Sequence, residues 1–197
     1  EVARAAASLP APLAVAAAVR LRTVEPTPSI AVLPFANMSA DPENEYFSDG
    51  LTETLLNMLA QVEGLKVTAR TSAFAFKGTN KDSREIATTL NVNAVLEGSV
   101  QRAGQRVRIT AQLIDARDGN HLWSQSYDRT LDDLFTIQDE IAAAVAKELT
   151  RSLLGAGSAL PTVGEVGTHD SEAYDLYLRG MEQINLSSYA ALPEAER

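Results

Sequence analysis

Cysteine is absent from the 197-residue chain, and there are only two histidines, His121 and His169. The first absence excludes disulfides, thiolate zinc sites, iron–sulfur clusters and cysteine nucleophiles, and leaves the redox compartment open. The second excludes a histidine-rich metal centre. Positive charge is also scarce: 26 acidic residues stand against 17 basic ones, for a net charge of −9. Between Thr23 and Leu65 there is no Lys or Arg, while Glu25, Asp41, Glu43, Glu45, Asp49, Glu53 and Glu63 fall there. Nucleic-acid binding needs a basic footprint, so none is expected of this domain. Long apolar runs are missing too. Residues 5–19, AAASLPAPLAVAAAV, fall short of the ~20 residues a spanning helix needs, and Pro10 and Pro12 interrupt them.

What is present is a globular composition, 45% hydrophobic and 22% charged, which excludes wholesale disorder and a multi-span membrane protein. Residues 1–28 read either as the end of a truncated membrane span or as an Ala/Pro-rich linker. Arg20 and Arg22 follow the apolar part directly. A cleaved signal peptide fits poorly, because no Met or basic stretch precedes the run. The first residue is Glu, so a segment upstream is expected. Any membrane association would run through this stretch.

From Ile30 the patterns become regular. Ile30 to Phe35 is a buried strand that Pro34 ends, and Asn37 to Asn44 is a polar loop. Phe47, Leu51, Leu55, Met58, Leu59 and Val62 recur at helical spacing before Gly64. Leu65 to Ala69 is a second strand, and 70–81 reads as a loop carrying Phe74 and Phe76. Asp82 followed by Glu85 opens a short helix that ends near Asn91. Ala94 to Ala103, Arg106 to Asp115 and His121 to Arg129 then alternate with period two, joined at Gly104-Gln105 and Asp118-Gly119-Asn120. This is a meander whose middle strand turns Val107, Ile109, Ala111 and Leu113 one way and Arg106, Arg108, Thr110 and Gln112 the other. Leu134, Ile137, Ile141, Val145 and Leu149 line an amphipathic helix over about 132–153, with Asp132 and Asp133 at its positive end. A Gly/Pro-rich linker occupies 155–170, and a helix opens 171–197, carrying Ala173, Tyr174, Tyr177, Leu178 and Met181. The order β-α-β-α-β-β-β-α predicts an α/β fold: helices packed on a mixed sheet over 29–154, followed by a linker and one helix.

Candidate chemistry is thin. Asp41, Glu43, Asn44, Glu45 and Asp49 place oxygens at alternate positions as a calcium loop does, but Tyr46 stands where the glycine belongs and Thr52 where the bidentate Glu belongs. An acidic approach to a helix N-terminus accounts for the same residues. Gly155-x-Gly157 follows a helix rather than a strand, so it is no nucleotide fingerprint. His121 has no serine in a nucleophile elbow near it. Asp115 and Asp118 read as turn residues, Asp132 and Asp133 as helix-start residues. Trp123 and Tyr127 share a strand face, and Phe74 and Phe76 share a loop. Either pair lines a groove or covers the sheet. No catalytic residue, cofactor or metal is assigned, and no small-molecule ligand is named.

Four stretches together carry a resemblance: SIAVLPFANMSADPENEYFSDGLTE (29–53), VTARTSAFAFKG (67–78), VNAVLEGSVQRAGQRVRITAQLIDARDGNHLWSQSYDR (92–129) and FTIQDEIAAAVAKEL (135–149). They resemble the TolB amino-terminal-like domain, related to FlgO-type domains, almost continuously over 29–153. The resemblance implies a long bacterial regulator: a cyclase, kinase or winged-helix output domain, a membrane span, this domain, and then tetratricopeptide repeats. SEAYDLYLRGMEQIN (171–185) resembles the helix that opens such an array, although Gln183 stands where an aromatic is expected.

It also implies a non-enzymatic sensing or protein-interaction domain, membrane-anchored and on the periplasmic side. The rivals are a cell-envelope assembly module of TolB or FlgO type and a small-molecule hydrolase. The chain's one basic stripe is Arg102, Arg106, Arg108 and Arg117; an acidic protein partner or a second copy is expected at Arg106 and Arg108, which Arg102 is expected to join across the hairpin.

Overall fold

The structure, a computed structural model, describes residues 27–154 and 170–190. The N-terminal span-or-linker and the Gly/Pro-rich linker lie outside the described residues, apart from their last positions. Among the described residues no helix is long and apolar enough to cross a membrane.

The fold is α/β, with a mixed six-stranded sheet in the order β3 (Lys66–Val67), β1 (Ser29–Val32), β4 (Ala94–Ala103), β5 (Arg106–Asp115), β6 (His121–Thr130), and β2 (Ala36–Asn37) pairing β4 off that path. β1 (Ser29–Val32) and β2 (Ala36–Asn37) both run parallel to β4 (Ala94–Ala103), β1 against Ala94–Leu96 and β2 against Ser99–Val100. The single strand expected over 30–35 is thus one line along β4, broken at Leu33–Phe35. Proline 34 cannot donate to the ladder, and the break turns the Phe35 ring into the core, fully buried. β2 itself lies where the sequence reads as loop. β3 shortens to Lys66–Val67, parallel to β1.

The meander forms as the alternation requires. β4 pairs antiparallel with β5 (Arg106–Asp115), and β5 with β6 (His121–Thr130). Val107, Ile109, Ala111 and Leu113 are buried beneath α1 (Glu45–Ala60) and α4 (Leu134–Leu154), in one cluster with Leu51, Leu55, Leu59, Ile137, Ile141 and Val145. A smaller cluster on the other face holds Leu33, Ile86, Ala87 and Val95 under α3 (Ser83–Leu90). Asp82 caps α3 by accepting from the Arg84 N–H at 2.8 Å, and Asn91 ends it in the left-handed conformation.

Two close approaches fix the packing. A Cβ on Gly98 would stand 2.2 Å from the Thr110 carbonyl oxygen and 2.4 Å from the Phe35 ring. One on Gly50 would stand 2.2 Å from Leu178 of α5 (Ser171–Ala190).

The expected loop 70–81 contains a helix, α2 (Arg70–Phe74). One turn is too short to show periodicity. It is held by the Arg70 guanidinium, 4.0 Å over the Phe74 ring and 3.1 Å from Glu53 of α1.

Candidate interaction surfaces

The sheet register divides the basic strip. Arg102 pairs with Val107 across β4 and β5, and Arg106 with Ala103. Arg102 therefore shares the helix-covered face with Val107, while Arg106 and Arg108 stand on the opposite face. The expectation that all three line one surface is corrected by one position of strand register.

On the open face, Arg106 and Arg108 are 73% and 59% exposed and both reach Asp128 of β6, at 2.7 and 2.6 Å. Their hydrogen bonds, Arg106 first, lower the Asp128 carboxyl to about 2. The row continues through Thr110 and Ser126, whose hydroxyls lie 3.0 Å apart. Two guanidiniums share one carboxylate, so the strip keeps a positive excess.

On the covered face, Arg102 enters a network that sequence reasoning missed. Its guanidinium donates to Asp175 of α5 at 2.8 Å and to the Tyr46 hydroxyl of α1 at 3.0 Å, and lies over the Phe47 ring. Tyr46 donates to Asp175 at 2.7 Å, and Arg179 reaches Asp175 and Tyr46 at 2.9 and 3.0 Å. Burial pushes the Asp175 carboxyl up, but the hydrogen bonds from Tyr46, Arg102 and Arg179 outweigh it and hold the group below the usual carboxylate range.

The residue before Asp175, Tyr174, is buried, with its hydroxyl 2.5 Å from Thr54 and accepting from Gln138 Nε2 at 2.9 Å. Burial raises that phenol to about 12. Asp170 accepts from the Glu172 and Ala173 N–H groups at the start of α5. Thus α5, legible in the sequence only as an isolated helix after a linker, packs on α1 through Tyr174 and Leu178.

Beside α5 a cleft of about 360 Å³ opens between α1 and α2, with Phe74, Leu178, Met181 and the bare backbone of Gly50 as its apolar lining. Lys77 bridges Glu45 and Asp49 at its rim, at 2.7 and 2.6 Å. Burial raises Asp49 despite Lys77. Phe74 lines this cleft whereas Phe76 packs on the second cluster, so the two do not form one aromatic site. Tyr127 is core and Trp123 is packed against it.

Asp115 is held by Arg117, Asp118 accepts from Asn120 and Asp133 from Thr130, in turn and helix-start roles. Asp41 caps the turn at Pro42–Asn44 through the Glu43 N–H. No group of three or more potential ligands among the described residues is placed to hold a metal.

The chain is 47% identical over 176 residues to putative adenylate cyclase 3 of Rhizobium meliloti (strain 1021), a match that covers 86% of this chain and 29% of that relative. Solved structures that match include TolB from Acinetobacter baumannii, 15% identical with TM-score 0.46 over 63% of this chain and 28% of that one. The LpoB C-terminal domain from Salmonella enterica is 18% identical with TM-score 0.44 over 55% and 87%. Residues 26–144, more than half of the chain, match one family along the whole broken-strand and meander unit, and by that match the chain belongs to the HilA/YgeH-like transcriptional regulator, second domain, family.

Proposed function

We propose that this chain is a non-enzymatic sensing or protein-interaction domain of a bacterial membrane-linked signalling regulator whose output chemistry lies elsewhere in a longer chain. One observation carries the reading. The same unit matches the second domain of HilA/YgeH-like transcriptional regulators, and the match to a relative named for cyclase activity covers only 29% of that relative. Transcriptional regulation and nucleotide cyclisation are different outputs, which supports a segment that serves regulation of an output rather than the output itself. Two features of the molecule support a docking role: the arginine strip on the open sheet face and the cleft beside α5. In this reading a tetratricopeptide array follows α5, and the domain is held at the membrane by the segment before residue 27, on the periplasmic side.

The test has two arms. The purified chain, given ATP or GTP with magnesium, yields no cyclic nucleotide. In the full-length cyclase relative, removal of the segment matching residues 26–154 leaves turnover measurable but abolishes its response to growth conditions. Cyclic-nucleotide synthesis by the chain alone, or unchanged regulation after the deletion, overturns the reading.

A further inference from the structure

β1 lies between β3 and β4 and runs parallel to both. The chain crosses from β1 to β3 through α1, on the core face, and from β3 to β4 through α2 and α3, with α3 on the other face. The two connections therefore part at the carboxyl ends of β1 and β3. In open α/β sheets ligands bind in the crevice at such a point. The cleft of about 360 Å³ is built from these connections, between the first turns of α1 and α2, and α5 closes it as a third wall. Its size is at the lower end for small-molecule sites, which suits a compact ligand rather than a chain segment.

The lining selects the ligand's chemistry. Phe74, Leu178 and Met181 make it apolar. Around them stand four carboxylates, of Glu45, Asp49, Glu53 and Glu182, against two cations, Arg70 and Lys77. Both cations are engaged, Arg70 with Glu53 at 3.1 Å and Lys77 with Glu45 and Asp49 at 2.7 and 2.6 Å. Glu182, half-buried on α5, forms no ion pair among the described residues. Burial holds the Asp49 carboxyl above its ordinary value although Lys77 bonds to it, so the site is short of positive charge. An anion meets repulsion here, and a neutral apolar molecule leaves the negative excess uncompensated. We propose that this cleft binds a small organic amine: one ammonium group that pairs with the carboxylate excess, Glu182 first, on an apolar body of about the size of one aromatic ring that packs on Phe74 and Met181.

The proposal rests on the sensing reading above and deepens it, because it names the class of molecule sensed. Leu178, Met181 and Glu182 belong to α5, so the complete site exists only while α5 is docked, and the bound amine must favour the docked helix.

An amide-resolved NMR titration of the full 197-residue chain with 2-phenylethylammonium tests this, with 3-phenylpropionate as the anionic counterpart and 2-phenylethanol as the neutral one. The amine is expected to saturate, with shifts grouped on α1, α2 and α5 and with slower hydrogen exchange in α5. Both counterparts should bind more weakly. Glu182→Lys should weaken the amine roughly tenfold, since it turns attraction into repulsion. Glu182→Gln keeps the size of the side chain and should weaken it about threefold, which keeps the test open where the lysine variant does not fold. Glu63→Lys makes the same charge change on the exposed far side of α1 and should leave binding unchanged. No saturation up to ~10 mM, equal binding of either counterpart, or Glu182 variants that bind as wild type overturn the proposal. Tighter binding of Nα-acetyl-lysine methylamide than of 2-phenylethylammonium overturns it as well and gives the cleft to a lysine side chain of a partner. Each of these results concerns the isolated chain alone, and the deletion in the full-length relative still decides the sensing reading separately.

Discussion

Arg102 and Asp175 are 73 positions apart in sequence, and their side chains meet at 2.8 Å where the end of β4 faces α5. Each is less than one-fifth exposed. Asp175 also holds Tyr46 and Arg179, so the carboxylate is the point through which α5 is tied to both β4 and α1. Arg102→Ala is expected to cost ~1.5–3 kcal/mol, the range for a hydrogen bond to a charged group. Arg106→Ala, on the exposed face, should stay within ~0.5 kcal/mol. Thermal unfolding of the two variants side by side checks the difference. Equal effects would mean that Arg102 does not tie down α5. Because Asp175 is held below its ordinary value, its contribution is present above the unfolded-state value and is lost as pH falls through the lower folded one. Protection of α5 amides from hydrogen exchange should therefore fall in acid before that of β4 and β5.

The Tyr174 hydroxyl makes the opposite prediction at high pH. Its phenol is raised from 10.0 to about 12 by burial. Stability from the neutral hydroxyl is intact below pH ~10 and is lost as pH rises through the folded value near 12. Burial also raises Tyr46 and Tyr127, so tyrosinate absorbance should show a late phase, from which Tyr174→Phe should remove one tyrosine equivalent. That variant leaves Gln138 Nε2 without its acceptor in a buried position where Gln138 Oε1 already has no partner among the described residues. A cost of ~1–3 kcal/mol follows. A neutral effect on stability would show that water reaches the amide.

Two glycines separate what the core demands from what α5 demands. Gly98→Ala drives a methyl into the Thr110 carbonyl and the Phe35 ring, neither of which can rotate away, and should cost ~3 kcal/mol or more. Gly50→Ala meets the Leu178 side chain, at Cδ2, Cδ1 and Cγ. That side chain can move, and alanine regains ~1 kcal/mol of helix propensity. Its main effect is then expected on α5 alone. Hydrogen exchange distinguishes them: Gly98→Ala should lower protection across the sheet, Gly50→Ala only in α5. A global loss from Gly50→Ala would place α5 inside the cooperative unit.

The meander is legible in the sequence because Val107, Ile109, Ala111 and Leu113 alternate with polar residues over ten positions, which leaves the core face no ambiguity. The helices α1, α3 and α4 are legible for the same reason at the other period. β2 is not, because two residues carry no pattern: Pro34 marks the break, but no spacing shows that the chain rejoins β4 after it. Nor is α2, one turn long. The side of the sheet on which Arg102 lies depends on hairpin register, since the turn at Gly104 pairs Ala103 with Arg106 and so puts Arg102 opposite Val107. Asp175 and Tyr46 as its partners are invisible to spacing: 73 and 56 positions of chain separate them from Arg102.

Arg106 and Arg108 are both exposed and share Asp128, so an acidic segment of a partner can replace that carboxylate on at least one guanidinium without desolvating a buried charge. Such contacts set on-rate more than affinity and are screened by salt. With a hexaglutamate peptide as probe, amide shifts are expected along β5 and β6 around Arg106, Arg108 and Asp128 at low ionic strength, fading as salt is added. In Arg106→Glu/Arg108→Glu the shifts should vanish. The Asp128 carboxyl, held at about 2 by the two arginines, should then titrate in or above the ordinary carboxylate range, because its donors have become like charges. That titration reports on the pairing itself, independently of any partner. Stability should change little, since exposed substitutions cost within ~0.5 kcal/mol apiece. Shifts that persist in the double variant would place acidic binding elsewhere on the molecule, and an Asp128 that still titrates near 2 would show that the arginines do not hold it in solution.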